Sequence, residues 1–100
     1  MNVTHRLDKD ILYIAVEGRI DASNAAVAEE KIFAIKKEHA GKHVVIDADQ
    51  LEYISSAGLR VILKTQKQMQ AQGAMKLVHV NDTIMEVFDI TGFTDILTIA

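Results

Sequence analysis

The sequence predicts an α/β domain: a mixed β-sheet in the order β-β-α-β-α-β-α-β, with helices packed on it. Three observations lead there. Short, β-rich apolar runs alternate with longer stretches in which apolar residues recur every three or four positions. Five glycines, at positions 18, 41, 58, 73 and 92, punctuate these runs, and there is no proline, linker or repeat. A short turn separates the first two strands, whereas helical stretches separate the later ones. This implies parallel β-α-β units behind an antiparallel hairpin.

Ile11 to Val16 is short and rich in β-branched and aromatic residues, so it reads as a strand ending near Gly18. Val3 to Leu7 is its partner, with Asp8-Lys9-Asp10 as the hairpin turn. Asp21 and Ser23 offer helix N-caps through their short side-chain oxygens. Ala25, Ala28, Ile32, Ile35 and His39 then form one helical face, which stops at Gly41. Val44-Val45-Ile46 is wholly apolar, as a strand buried on both faces should be. A loop leads to a second helix starting near Ser56, with Leu59, Ile62, Leu63 and Met69 inward and Arg60, Lys64 and Lys67 toward solvent. Gly73 stops it. Met75 to Val80 is a further strand, Asn81 caps a short helix carrying Ile84, Val87 and Phe88, and Ile96 to Ile99 is expected as a final edge strand.

One hundred residues suit a single domain, residues 1–100, with a real core. Net charge is −3, which argues against nucleic acid as a partner, because neutralising phosphates needs a basic face. With no cysteine there is neither disulfide nor thiolate chemistry. No apolar run approaches a membrane span and the start, MNVTHRLDKD, has no apolar signal core, so a cytoplasmic protein without membrane insertion is expected.

Most chemistry-bearing residue types have ordinary readings. His5, His39, His43 and His79 are scattered over different elements without metal-ligand spacing, so no metal site and no cofactor is expected. Lys36 and Lys37 read as a solvated helix face. No phosphate-cradling glycine motif and no G-x-S-x-G is present. Two features remain. Asp47 directly follows the buried strand, where α/β sheets place their sites. Ser55 and Ser56 lie between that strand and the next helix, with Ala57 and Gly58 behind them. From spacing alone, a helix cap and a functional hydroxyl are equally good readings of these serines.

The stretch D-x-x-x-x-x-[YF]-I-S-S-A-G-L-R-V-I-L resembles the signature of the STAS domain family, specifically the bacterial anti-sigma factor antagonists. Here it is carried by Asp47, Tyr53, Ile54, Ser55, Ser56, Ala57, Gly58, Leu59, Val61, Ile62 and Leu63. Two further motifs are similar and in order: G-x-[IL]-D at Gly18 to Asp21, and F-x-x-[ST]-G-[FL] at Phe88 to Phe93. In that family the helix is often preceded by D-S-S-G, whose first serine is phosphorylated. Aligned on Gly58, the family's Asp falls on Ser55, the phosphoacceptor on Ser56 and the second serine on Ala57, so this chain departs at two positions.

The resemblance implies partner switching. Unphosphorylated, the domain would bind an anti-sigma factor that is also a serine kinase, releasing a sigma factor. ATP-dependent phosphorylation of Ser56, with Ser55 as second choice, would end the complex, and a serine phosphatase would reset it. The partner face is expected to comprise Asp21, Asp47, Ser55, Ser56, Ala57, Gly58 and Arg60, on a monomer or weak dimer that is substrate and ligand, not an enzyme. The alternative is a STAS subunit of a transporter or stress-signalling assembly. A receiver domain would need an acidic pair after its first strand and a late lysine, neither present, and a hydrolase would need a histidine placed near Ser56.

Overall fold

The computed structural model describes all residues, Met1–Ala100. Strands β1 (Asn2–Asp8) and β2 (Ile11–Ile20) are followed by helix α1 (Ala25–Glu38), strands β3 (His43–Asp47) and β4 (Leu51–Ile54), and helix α2 (Ser56–Met69). Strand β5 (Met75–Val78), helix α3 (Asp82–Thr91) and a 3-10 turn (Phe93–Asp95) complete the chain. The sheet runs β1-β2-β3-β5, with β4 also paired to β2. Only β1 and β2 are antiparallel, as the hairpin requires; Lys9 turns it with a φ of 56°.

β2 organises the site because it serves two parallel partners in succession. Its first half, Ile11 to Ala15, pairs with His43 to Asp47 of β3. After an irregularity at Gly18/Arg19, its last residues, Gly18 to Ile20, pair with β4. Gly18 accommodates the break: its φ is 89°, and an added Cβ would lie 3.4 Å from the Met1 backbone. The sequence reads β4 as part of a loop. Its four residues bury only Leu51 and Ile54, leaving Glu52 and Tyr53 exposed, a pattern too short to stand out from a connection.

Along β2, Leu12, Ile14 and Val16 are buried while Tyr13, Ala15 and Glu17 alternate to the other side, half-buried. The inward set belongs to one core of 21 residues that draws on all three helices, among them Ile32, Leu59, Ile62, Met69, Ile84 and Phe88, so the helices cover one face of the sheet. Val44, Val45 and Ile46 are all buried, as their apolar run predicts.

Four expectations need correction. α1 is capped by Asn24 and not by Asp21 or Ser23, and Asn24 makes no side-chain cap bond. The buried stripe of α1 is Ala25, Ala28, Ile32 and Lys36. Lys36 is therefore not a solvated residue: its stem lies in the core layer and its ammonium donates to Gln68 Oε1 at 2.9 Å. β5 stops at Val78 because His79 takes a left-handed φ of 59°. The final strand reduces to a single parallel bridge of Ile99 to Leu77, since the Phe93–Asp95 turn uses the preceding residues.

Candidate functional site

The end of β2, the end of β4 and the start of α2 meet at one rim. Ser55 N–H donates to the Ile20 carbonyl at 2.9 Å, which sets the serine pair beside Asp21. Ser55 is extended (φ −91°, ψ 176°) and is the N-cap of α2. Its Oγ accepts from Gly58 N–H at 3.4 Å and its carbonyl accepts from Leu59 N–H at 2.9 Å. The two serines thus divide their work: Ser55 is partly buried and committed to the helix, while Ser56, the first helical residue, is exposed.

Gly58 permits this geometry. A Cβ there would come within 2.6 Å of Ile54 Cγ1 and 2.9 Å of Ile20 Cγ2, both buried side chains. Only a glycine lets the first turn of α2 lie directly on the strand ends. Ala57 packs against the core, while Arg60 is exposed one turn below Ser56, on the same side of the helix. Beside them runs a shallow groove between α1 and α2, floored by Ala22, Ala25, Ala26 and Ala57 and flanked by Arg60. Lys64 is paired with Glu29 at 2.9 Å, whereas Arg60 takes part in none of the three ion pairs of the fold.

Asp21 holds the turn into α1. Its carboxylate accepts from both the hydroxyl and the backbone N–H of Ser23, its own N–H donates to Asn24 Oδ1, and its carbonyl accepts from Ala25 N–H. The Ser23 hydroxyl, then the Ser23 amide, hold its carboxyl below the usual carboxylate range, so the rim carries a fixed negative charge next to the serines.

Asp47 is elsewhere. It pairs with Ala15 of β2, five residues before Ile20, which places it roughly 16 Å back along the strand from the serine rim. Grouping it with the serines on one partner face takes the end of β3 for the end of the sheet, but β4 extends the sheet beyond it. There Asp47 accepts from Asp49 N–H at 3.0 Å and pairs with His79 Nδ1 at 2.9 Å. Burial pushes its carboxyl up, but the His79 hydrogen bond and the Asp49 amide outweigh that and leave it lowered; the same Asp47 bond raises His79.

Arg19 and Tyr53 lie beside the serines although neither belongs to the expected partner face. They are register partners on β2 and β4, and the guanidinium lies 4.3 Å from the ring centroid. Tyr53 is exposed, so the pair forms an accessible shoulder next to the serines. The signal was present, since both residues fall inside the quoted motifs, but nothing in the sequence pairs a strand not known to exist.

The STAS domain model matches residues 2–100. BtrV of Bordetella bronchiseptica is 37% identical over 90% of this chain and 78% of its own length. The anti-sigma-B factor antagonist of Bacillus subtilis is 29% identical over 100% of this chain and 91% of its own. Among solved structures, the anti-sigma factor antagonist SpoIIAA in its unphosphorylated form superposes with a TM-score of 0.79 at 18% identity, covering 99% of this chain and 88% of that one. Its phosphorylated form gives 0.72 at 18% identity, over 99% and 91%. At that identity the likeness is one of fold. With a model spanning nearly every residue and relatives alike over nine-tenths or more of the sequence, the chain belongs to the STAS domain family.

Proposed function

We propose that this chain is an anti-sigma factor antagonist that works by partner switching. Unphosphorylated, it binds an anti-sigma factor that is also a serine kinase, and a sigma factor is released. The kinase then phosphorylates Ser56 and the complex ends; a serine phosphatase restores it. The domain acts in the cytoplasm as a monomer or weak dimer and performs no catalysis of its own. Family membership and the names of relatives, among them the anti-sigma-B factor antagonist of Bacillus subtilis, support this. No helix is long and apolar enough to cross a membrane.

The observation that carries the proposal is the exposed hydroxyl of Ser56 at the start of α2, beside a Ser55 already occupied as cap. An acceptor must be reachable and must not hold the fold together. Ser56 meets both conditions, whereas Ser55 is partly buried and holds the cap. A phosphate at Ser56 would sit at a helix N-terminus, where free N–H groups and the positive end of the dipole favour an anion, so the domain stays folded when modified. The same group adds about −1.5 to −2 charges next to ionised Asp21. A partner surface matched to a neutral hydroxyl then has to desolvate a dianion, and binding weakens. Asp21, Ser55, Ser56, Ala57, Gly58 and Arg60 form the centre of the partner face, with Asp47 at its periphery.

Incubation with the kinase and ATP, followed by mass-spectrometric mapping, is expected to place phosphate on Ser56. The Ser56→Ala variant should still bind the kinase, and Ser56→Asp should fold yet bind poorly, with kinase-made phosphoprotein titrated alongside. Phosphate on Ser55 alone would overturn the acceptor assignment. Phosphate on neither would favour a STAS subunit of a transporter or stress-signalling assembly.

A further inference from the structure

Three side chains far from the serine rim converge in a way their spacing in sequence conceals. His5 projects from the middle of β1, and Glu38 and His39 close the C-terminal end of α1, which packs over β1. One ligand atom from each of the three lies within 4.8 Å of the others. The two imidazoles do not stack: their centroids are 5.5 Å apart and their planes are inclined at 52°. Rings so inclined can each turn a nitrogen lone pair toward one common point.

We propose that His5, Glu38 and His39 bind a divalent transition ion of borderline softness, Zn²⁺ foremost. Two nitrogens sharing a tetrahedral zinc at about 2.1 Å stand roughly 3.4 Å apart, so the ligands need close by little more than an ångström, within the reach of side-chain rotation. Two imidazoles and one carboxylate are the donors that suit Zn²⁺, Ni²⁺ or Cu²⁺, whereas Mg²⁺ and Ca²⁺ require mostly oxygen. Position adds to donor type. The ion would lie at a helix C-terminus, whose unpaired carbonyls favour positive charge. It would tie the sheet's edge strand to α1. The site is about one length of α1, roughly 21 Å for its 14 residues, from the start of that helix near the serines. Metal binding therefore does not depend on the switch at Ser56.

The test is titration of the full chain, free of any affinity tag, with ZnCl₂ by calorimetry, together with thermal melts and NMR of the histidine rings. One ion per chain, a raised melting temperature, and zinc-induced shifts of the His5 and His39 rings without His43 or His79 are expected. His5→Ala and His39→Gln should each abolish the saturable step while melting like the parent without metal, Glu38→Gln should weaken it, and His79→Ala should leave it intact. Absence of saturable binding to the parent chain, or its persistence in the His5→Ala/His39→Gln double variant, would overturn the site. Ring shifts centred on His43 or His79 would do the same.

Discussion

Gly58→Ala tests how tightly α2 is seated. The added methyl would arrive 2.6 Å from Ile54 Cγ1 and 2.9 Å from Ile20 Cγ2, and Ile20 Cβ is only 3.1 Å away. Both isoleucines are buried, so neither can swing into solvent. Ordinary carbon contacts start near 3.5 Å, so the first turn of α2 must lift by up to about 1 Å. Overpacking of this kind costs about 1–3 kcal/mol. Against it stands the gain of replacing glycine in a helix, at most about 1 kcal/mol. With two buried side chains struck at under 3.0 Å, overpacking is taken at the middle of that range, about 2 kcal/mol, so the net expectation is a loss of about 1–2 kcal/mol, or a fall of roughly 4–16 °C in Tm for a domain of this size. Urea melts followed by circular dichroism should show a lower midpoint with an unchanged slope. Lifting the turn also lengthens the Ser55–Gly58 cap, so phosphorylation of Ser56 should slow. A variant as stable as the parent would refute the close seating of α2 on the strand ends, and with it the account of how the serines are placed.

Exchanging the two serines for alanine should separate their roles. Ser55→Ala removes a long cap bond and should lower stability by about 0.5–1 kcal/mol, whereas Ser56→Ala should change the urea midpoint little; the opposite ranking would show that the cap is misassigned. Lys36→Met exchanges a largely buried ammonium, whose pKa burial lowers and which has one neutral partner, for an apolar chain of similar length. Stability should hold or rise, and a loss beyond about 1 kcal/mol would mean that the Gln68 contact matters more than the burial. The Asp47–His79 pair should contribute to stability within a pH window. Asp47, lowered, contributes above the ordinary carboxylate value of 3.8 and loses its contribution as pH falls through its folded value. His79, raised, contributes below 6.5 and loses its contribution as pH rises through its higher folded value. Melts of parent and His79→Ala should therefore differ most between these limits, and an NMR titration of His79 no higher than that of a free histidine would contradict the pairing.

The sequence made the architecture legible wherever periodicity is long. Ten residues of β2 and fourteen of α2 each repeat their pattern several times, so chance alternatives die out. β4 offers only Leu51 and Ile54 as inward residues and hides inside a connection. Missing it misplaced Asp47, because in sequence the residue closes a strand while in space the sheet continues past it. For Lys36, residue type alone suggests solvent, whereas its position four residues after Ile32 puts its stem in the buried stripe. The serines were located correctly, but which of them caps the helix depends on one dihedral pair at Ser55 and a bond to Gly58, which spacing does not encode.

The division between a capping Ser55 and an exposed Ser56 also bears on how the proposed switch would change over generations. If one residue were both cap and acceptor, every mutation that altered signalling would also erode the fold, and selection would act on the two together. Here position 56 is the first residue of a helix and its side chain makes no hydrogen bond within the fold, a place that accepts alanine, aspartate or glutamate without strain. Under the proposed switch, a single codon change there would produce a permanently binding or permanently released form in a domain that stays above its folding threshold. Descendants of a duplicated copy are free to explore either form, while the neighbouring cap keeps their shared scaffold unchanged.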